Sequence, residues 1–269
     1  MGPSASWKRM FSRLKWTRAA PRSSRAGGPA VPDGAMVYAI GDVHGRHDLL
    51  IDLLDRIADD AAAHPGAEVS LVLLGDLVDR GPESGAVIEL CATRDWGDWR
   101  PRFLLGNHEE MMLGALGGDL EAARHWLRNG GRETMLSYGV NEAALSGSTT
   151  DRLVDRFAAL VPPHHIAFLR AMEDHVVVGD YWFVHAGVRP GVPLERQKPS
   201  DLRWIRREFL ESSADFGGFV VHGHTITSEP EVMANRIGID TGAYATGRLT
   251  ALALAGERRW IIQAEGARG

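Results

Sequence analysis

Three short strings, each closing an apolar run, constrain this chain more than any other feature. They are Gly41-Asp42-Val43-His44-Gly45, Gly75-Asp76-Leu77-Val78-Asp79-Arg80-Gly81 and Gly106-Asn107-His108-Glu109. Two more follow downstream, Val184-His185-Ala186-Gly187 and His222-Gly223-His224-Thr225. Together they supply Asp, His, Asp, Asn, His and His. Carboxylate oxygen mixed with imidazole nitrogen is the donor set of a two-metal hydrolytic site. Taken singly, each residue has a plainer use. Asp42 could cap a helix, Asp76 and Asp79 could shape turns, Arg80 could be a surface charge, and Asn107 could cap the next helix. The ordered set, with each member where a strand should end, argues for convergence on one place.

The periodicity says how such residues could meet. Met36–Ile40 is a short apolar run ending at Gly41, and Val69–Leu74 is a second; both read as buried strands. Leu49–Ala63 carries apolar residues at helical spacing, and Pro82–Thr93 reads as a helix with proline near its start. Phe103-Leu104-Leu105 is a third strand, with a helix from Glu109 onward. Strands alternating with helices predict a largely parallel sheet, whose ligands collect beyond the carboxyl ends of its strands. Residues 109–172 look mostly helical and break this rhythm, so they read as a helical insertion beside the site. Val176–Val178 and Trp182–Val184 flank Gly179-Asp180 as a hairpin. Phe219–Val221, Arg236–Asp240, Leu249–Leu254 and Trp260–Ile262 are further strands. Early βαβ units and later hairpins suggest two packed sheets covered by helices.

The net charge of −5 argues against non-specific nucleic-acid binding, but it hides an asymmetry. Residues 1–32 hold seven basic residues and no acid, leaving 23 basic against 35 acidic residues in the rest. Residues 1–34 are therefore expected to be a basic, disordered tail. Residues 21–35, rich in Pro, Gly, Ser and Ala, read as a linker, and residues 35–265 as the catalytic domain. The tail's Met10, Phe11, Leu14 and Trp16 leave room for contact with a membrane surface. Met1-Gly2-x-x-x-Ser6 has the form of a myristoylation signal, but Pro3 beside the acceptor glycine counts against it. One cysteine, Cys91, permits no internal disulfide, and no run of 18 apolar residues is present. A cytoplasmic location is expected.

The five strings resemble those of the phosphoprotein phosphatase family, a branch of the calcineurin-like metallophosphoesterases. The bacterial and phage-type serine/threonine phosphatases are the most similar branch. The resemblance runs from about Met36 to about Thr250 and includes Trp126–Gly131 and Trp204-x-Arg206. It implies an α+β, four-layer fold in which two mixed β-sheets are sandwiched and flanked by helices. It implies that Asp42 and His44 bind a first metal, that Asp76 bridges, and that Asn107, His185 and His224 bind a second. The ions would be two divalent cations, Mn²⁺ foremost with Fe or Zn²⁺ as alternatives, sharing a hydroxide that attacks phosphorus directly. His108 resembles the general acid, Asp79 its supporting carboxylate, and Arg80 and Arg206 the phosphate-clamping arginines. Arg203 and Arg207 lie close enough to blur the register of Arg206. His222 is expected to support the ligands without touching metal.

The expected activity is hydrolysis of phosphoserine and phosphothreonine in proteins, with some action on small phosphoesters. The alternative is a bis(5′-nucleosyl)-tetraphosphatase; those hydrolases tend to depart from the second string, losing the aspartate found here as Asp79. A metal-binding module without turnover is a third reading. No nucleic-acid partner is expected. His47, His64, His125, His164, His165 and His175 are expected on surfaces or in hydrogen-bonded core positions. Trp126, Trp182 and Trp204 are expected to anchor the core.

Overall fold

The computed structural model describes residues 27–269. The basic tail and its candidate amphipathic stretch (Met10 to Trp16) and acylation signal lie outside the described residues. Residues 29–31, inside the stretch read as a linker, dock on the fold. Val31 is buried, its N–H donates to the Gly256 carbonyl, and Ala30 and Asp180 exchange hydrogen bonds.

The first half alternates as its periodicity predicts. Strand β1 (Ala35–Ile40) leads to α1 (His47–Ala62), β2 (Glu68–Leu73), α2 (Ser84–Thr93) and β3 (Arg100–Phe103). Helices α3 (Asn107–Leu116), α4 (Leu120–Trp126), α5 (Arg132–Ser137), α6 (Glu142–Gly147), α7 (Thr150–Leu160) and α8 (Pro163–Arg170) form the insertion. Then come β4 (His175–Val178), β5 (Tyr181–Val184), α9 (Pro199–Trp204), α10 (Arg207–Leu210), β6 (Phe219–His222), β7 (Glu231–Val232) and β8 (Arg236–Gly238). A short helix α11 (Ala243–Thr246) precedes the closing strands β9 (Arg248–Ala255) and β10 (Arg258–Glu265).

These make two mixed five-stranded sheets, ordered β10-β9-β1-β2-β3 and β4-β5-β6-β8-β7. Strands β1, β2 and β3 are mutually parallel, as are β5, β6 and β8. The period-two alternation of β1 shows why the sheets stack. Val37 and Ala39 face a core shared with Val176, Phe183, Val221 and Ile237 of the second sheet. Met36, Tyr38 and Ile40 face the opposite core, under α1 and the helical insertion. A third core, with Trp182, Val220, Leu202 and Phe209, seats α9 and α10 on the far side of the second sheet. The result is the four-layer metallophosphoesterase arrangement.

The third strand departs from expectation. It runs over Arg100–Phe103, not Phe103–Leu105, because it is an edge strand paired only with β2. An edge tolerates Pro101 and polar side chains that an apolar-run reading passes over. Trp204 also departs: it is 37% exposed and donates its indole N–H to Glu110 at 2.5 Å, so it anchors no core. Trp126 and Trp182 are buried as expected.

Candidate active site

The five strings meet at one end of the sandwich, where parallel strands of both sheets finish. Backbone hydrogen bonds lock them together. The N–H groups of Val43 and His44 both donate to the Asp76 carbonyl, Arg80 N–H donates to Gly130, and Gly223 N–H donates to His185. The non-glycine residues with positive φ among the described residues are His44 (46°), Asp76 (50°), Asp79 (75°), Arg80 (68°) and His224 (64°). Every one is a sequence-predicted site residue. Such conformations cost about 1–3 kcal/mol each and persist where the surroundings over-determine them. The chain is bent here to aim side chains, not to turn corners. Two glycines are required by closeness: a Cβ on Gly106 would lie 2.1 Å from Asp76 Oδ1, and one on Gly223 would lie 2.0 Å from Asp42 Oδ1.

Asp76 sits at the centre and divides its two oxygens. Its Oδ2 faces His44 Nε2 at 3.7 Å and His108 Nε2 at 3.8 Å. Its Oδ1 faces His185 Nε2 at 3.4 Å. His185 Nε2 lies 2.9 Å from Asn107 Oδ1 and 3.2 Å from His224 Nδ1. The other ring nitrogens of His44 and His185 sit against the carbonyls of Val78 (2.8 Å) and Leu74 (2.9 Å), leaving Nε2 pointed inward. Asp42 accepts from the His224 backbone N–H at 3.0 Å. Ligand atoms of His44, Asp76 and His108, and separately of Asp76, His185 and His224, lie within 4.8 Å of one another. Asp42 belongs to neither close group. All six predicted ligands are buried.

The electrostatics fit cations. Burial raises Asp42 well above the usual carboxylate range, and the neighbouring Asp240 and Asp76 charges raise it further. Burial works against an ionised Asp76 too, but His185, His108 and His44 around it hold it well below that range. Burial pushes His44 down to about 3 and His224 down to about 2, so both rings are neutral, the form that binds metal. His224 Nε2 and Asp240 Oδ2 are buried without a hydrogen-bond partner among the described residues. Burial lowers His185 too, but the Asp76, Asp42 and Glu109 carboxylates outweigh it and push that ring up to about 10, so it must shed its Nε2 proton to ligate. Buried carboxylates, the neutral rings of His44 and His224, and unpartnered polar atoms together suit divalent ions held by mixed oxygen and nitrogen ligands.

His108 stands beside this cluster. Its Nδ1 lies 2.6 Å from Asp79 Oδ2. Burial lowers His108, but the Asp76 and Asp79 carboxylates outweigh it and raise the ring above its ordinary value. Asp79 is held in turn: Trp126 Nε1–H donates to both its oxygens at 2.9 Å, and the Thr134 hydroxyl donates at 2.6 Å. Trp126→Phe removes one of these donors from a buried carboxylate. It should lower unfolding free energy by about 1–3 kcal/mol, read by chemical denaturation, without loss of bound metal. The Arg80 guanidinium nitrogens lie 2.9 Å from His44 Nε2 and 3.1 Å from His108 Nε2, so the group sits between the two imidazoles. Of the three neighbouring arginines, Arg203 pairs with Asp174 and Glu110, and Arg207 with Glu211. Arg206 is exposed, forms no ion pair among the described residues, and its charge bears on His224. His222 is buried under Phe209 and Arg236, with Nδ1 3.0 Å from the Gly223 carbonyl.

Residues 35–239 match the sequence profile of the calcineurin-like phosphoesterases. The chain belongs to that family. Calcineurin-like phosphoesterases work with a dinuclear metal site, and the ligand groups around Asp76 are candidates for it. A symmetrical bis(5′-nucleosyl)-tetraphosphatase of Delftia acidovorans is 33% identical over 57% of this chain, a match spanning 45% of that relative. The asymmetrical bis(5′-nucleosyl)-tetraphosphatase PrpE of Halalkalibacterium halodurans is 28% identical over 79% of this chain and 87% of its own length. Serine/threonine-protein phosphatase 2 of Escherichia coli is 27% identical over 80% of this chain and 90% of its own. A cold-active protein-tyrosine phosphatase of a psychrophilic Shewanella shares the fold, with a TM-score of 0.54 at 19% identity over 94% of this chain and 89% of that one. The two substrate classes weighed from the sequence thus stand beside this phosphoesterase at nearly equal distance. Among the described residues no helix is long and apolar enough to cross a membrane.

Sequence reasoning missed three parts of the site. Glu109 is buried and accepts from the backbone N–H groups of Asp76, Leu77, Val78 and Gly106, clamping the second string to the third. Its place three residues after Gly106, where a glutamate reaches back to the N-cap N–H as in half of a capping box, is the signal that could have revealed it. Tyr244 packs edge-on against His44 (5.4 Å between ring centroids) and under the Arg80 guanidinium (4.9 Å). Asp240 follows β8 and lies close enough to Asp42 to raise it. Neither carried a local signal beyond its residue type.

Proposed function

We propose that this phosphoesterase removes phosphate from phosphoserine and phosphothreonine. The observation that supports this reading is the His108–Asp79 pair. An alkoxide is a poor leaving group and needs a proton as the P–O bond breaks, whereas a nucleoside phosphate leaves readily without one. A buried imidazole, held by a carboxylate and raised in basicity, suits the harder task.

In this proposal Asp42, His44 and Asp76 hold one ion, and Asp76, Asn107, His185 and His224 hold the other, Mn²⁺ foremost. Such a pair supplies Lewis-acid stabilisation of phosphoryl charge and a water of lowered pKa. The chain's own residues do the rest. Arg80 and Arg206 grip the phosphoryl oxygens, Arg80 by swinging from the two imidazoles it touches here. His108 gives a proton from Nε2 to the departing oxygen. Asp79 keeps the other proton on Nδ1 and stabilises the ring's charge. Arg80→Ala should raise KM and lower kcat together, because the guanidinium binds phosphate in the ground state and binds it more tightly as charge builds in the transition state. Steady-state kinetics on a phosphopeptide check this; wild-type constants would remove Arg80 from the site.

The second reading, a dinucleoside polyphosphate hydrolase, is favoured by the names of several relatives. Turnover of a phosphoserine peptide against diadenosine tetraphosphate separates the two. Comparable or better kcat/KM on the phosphopeptide supports our reading. A preference of about a hundredfold for the dinucleotide, roughly 2.7 kcal/mol, would reverse it.

A further inference from the structure

A second convergence of ligand atoms lies away from the active site. Glu89 on α2 faces His164 and His165 at the start of α8. The Nε2 atoms of both imidazoles point at one carboxylate oxygen, Glu89 Oε2, at 2.8 Å for His164 and 2.6 Å for His165. All three ligand atoms lie within 4.8 Å of one another. Consecutive residues on a helix point about 100° apart, so two adjacent imidazoles meeting on one oxygen is a specific arrangement. His165 is buried and further oriented: its Nδ1 lies 2.8 Å from the Tyr138 hydroxyl, just beyond α5. A ring fixed through one nitrogen while the other faces a shared point is how metal-binding histidines are held. Glu89 and His164 are half-exposed, so the point is open to solvent.

We propose that Glu89, His164 and His165 form an accessory site for a Zn²⁺-class cation, separate from the catalytic pair, that ties α2 and α8 to the end of α5. Two imidazoles and one carboxylate suit a borderline-soft divalent ion, with water as the fourth ligand. At metal–ligand distances of about 2.0–2.2 Å, tetrahedral donors stand about 3.3 Å apart. The half-exposed Glu89 side chain needs to withdraw by about half an ångström to admit the ion. Ligation needs both Nε2 atoms unprotonated: each neutral ring then carries its one proton on Nδ1, and His165 Nδ1–H donates to the Tyr138 oxygen. The site bears on the catalytic end through its helices. Ser84 at the start of α2 accepts from the Asp79 backbone N–H at 2.9 Å, and Thr134 on α5 bonds both Ser84 and Asp79.

Equilibrium dialysis of the full-length protein against Zn²⁺, followed by elemental analysis, tests this beside His164→Ala and Glu89→Gln. His164 is surface-exposed, so its variant keeps the fold, and circular dichroism verifies this. Wild type should bind one zinc more per chain than either variant. Losing a ligand should weaken that ion at least as much as losing a supporting partner does, about 10–100-fold. The zinc-dependent rise in Tm should shrink with it. The readout is a difference of one ion, so it is independent of whether the catalytic pair forms as proposed. Equal zinc content and equal Tm response in wild type and His164→Ala would overturn the site, leaving only an ion pair between helices.

Discussion

Asp76→Asn should empty the catalytic centre. Each oxygen of Asp76 faces a different ligand group, Oδ2 towards His44 and Oδ1 towards His185. A carboxamide has the same shape but presents one oxygen and one NH₂, and an NH₂ cannot ligate a cation. It also removes a buried negative charge that would compensate the two proposed dications. The variant should hold less than one ion per catalytic centre by elemental analysis, against two in wild type. Lewis-acid stabilisation is worth several kcal/mol, so turnover should fall about a thousandfold or more. Full occupancy with low turnover would show that Asp76 does not bridge. The left-handed backbone of Asp76 is kept by asparagine, which tolerates that region as well as aspartate does. The fold should therefore survive, and circular dichroism separates metal loss from unfolding.

His108→Asn should have an effect that depends on the leaving group. With a phosphoserine peptide, turnover should drop by about 10²–10⁴, the usual range for a lost general acid. With p-nitrophenyl phosphate, whose phenolate departs without help, the drop should be under about tenfold. Bound metal should be unchanged, because His108 is not among the six proposed ligands. Equal losses on both substrates would assign His108 to phosphate binding or to the metal. No loss on either would remove it from the reaction. Asp79 is coupled to this result: its 2.6 Å contact with Nδ1 means that Asp79→Asn should reproduce part of the leaving-group dependence.

What the chain's residues disclose in advance, and what they do not, follows from range. Strand β1 was legible because Met36, Tyr38 and Ile40 on one face, and Val37 and Ala39 on the other, are all apolar, as a strand buried on both sides requires. The convergence of the site strings was legible because each places a potential ligand atom at a strand end. Strand β3 was misplaced because Arg100-Pro101-Arg102 has no apolar pattern; its strand character comes from pairing with Ser70–Leu73. Trp126 could be read as buried, but not as the donor that holds Asp79, 47 positions away. Trp204 was misread because α9 is six residues long, too short to show a period. The left-handed twist at Asp76, Asp79 and Arg80 has no sequence signature either. Distant partners hold it: Glu109 collects the N–H groups of residues 76–78, Ser84 and Thr134 accept from Asp79 N–H, and the Gly130 carbonyl accepts from Arg80 N–H. Arg203 and Arg207 are engaged by carboxylates and Arg206 forms no ion pair among the described residues, a distinction that their adjacency in sequence does not carry.

Anomalous diffraction at the manganese edge, on crystals grown with Mn²⁺, would locate the proposed ion pair itself. Two peaks should flank the Asp76 carboxylate, about 3.5–4 Å apart, one beside His44 and Asp42 and the other beside Asn107, His185 and His224. A single peak, or peaks with Asp76 bound to only one of them, would contradict that arrangement.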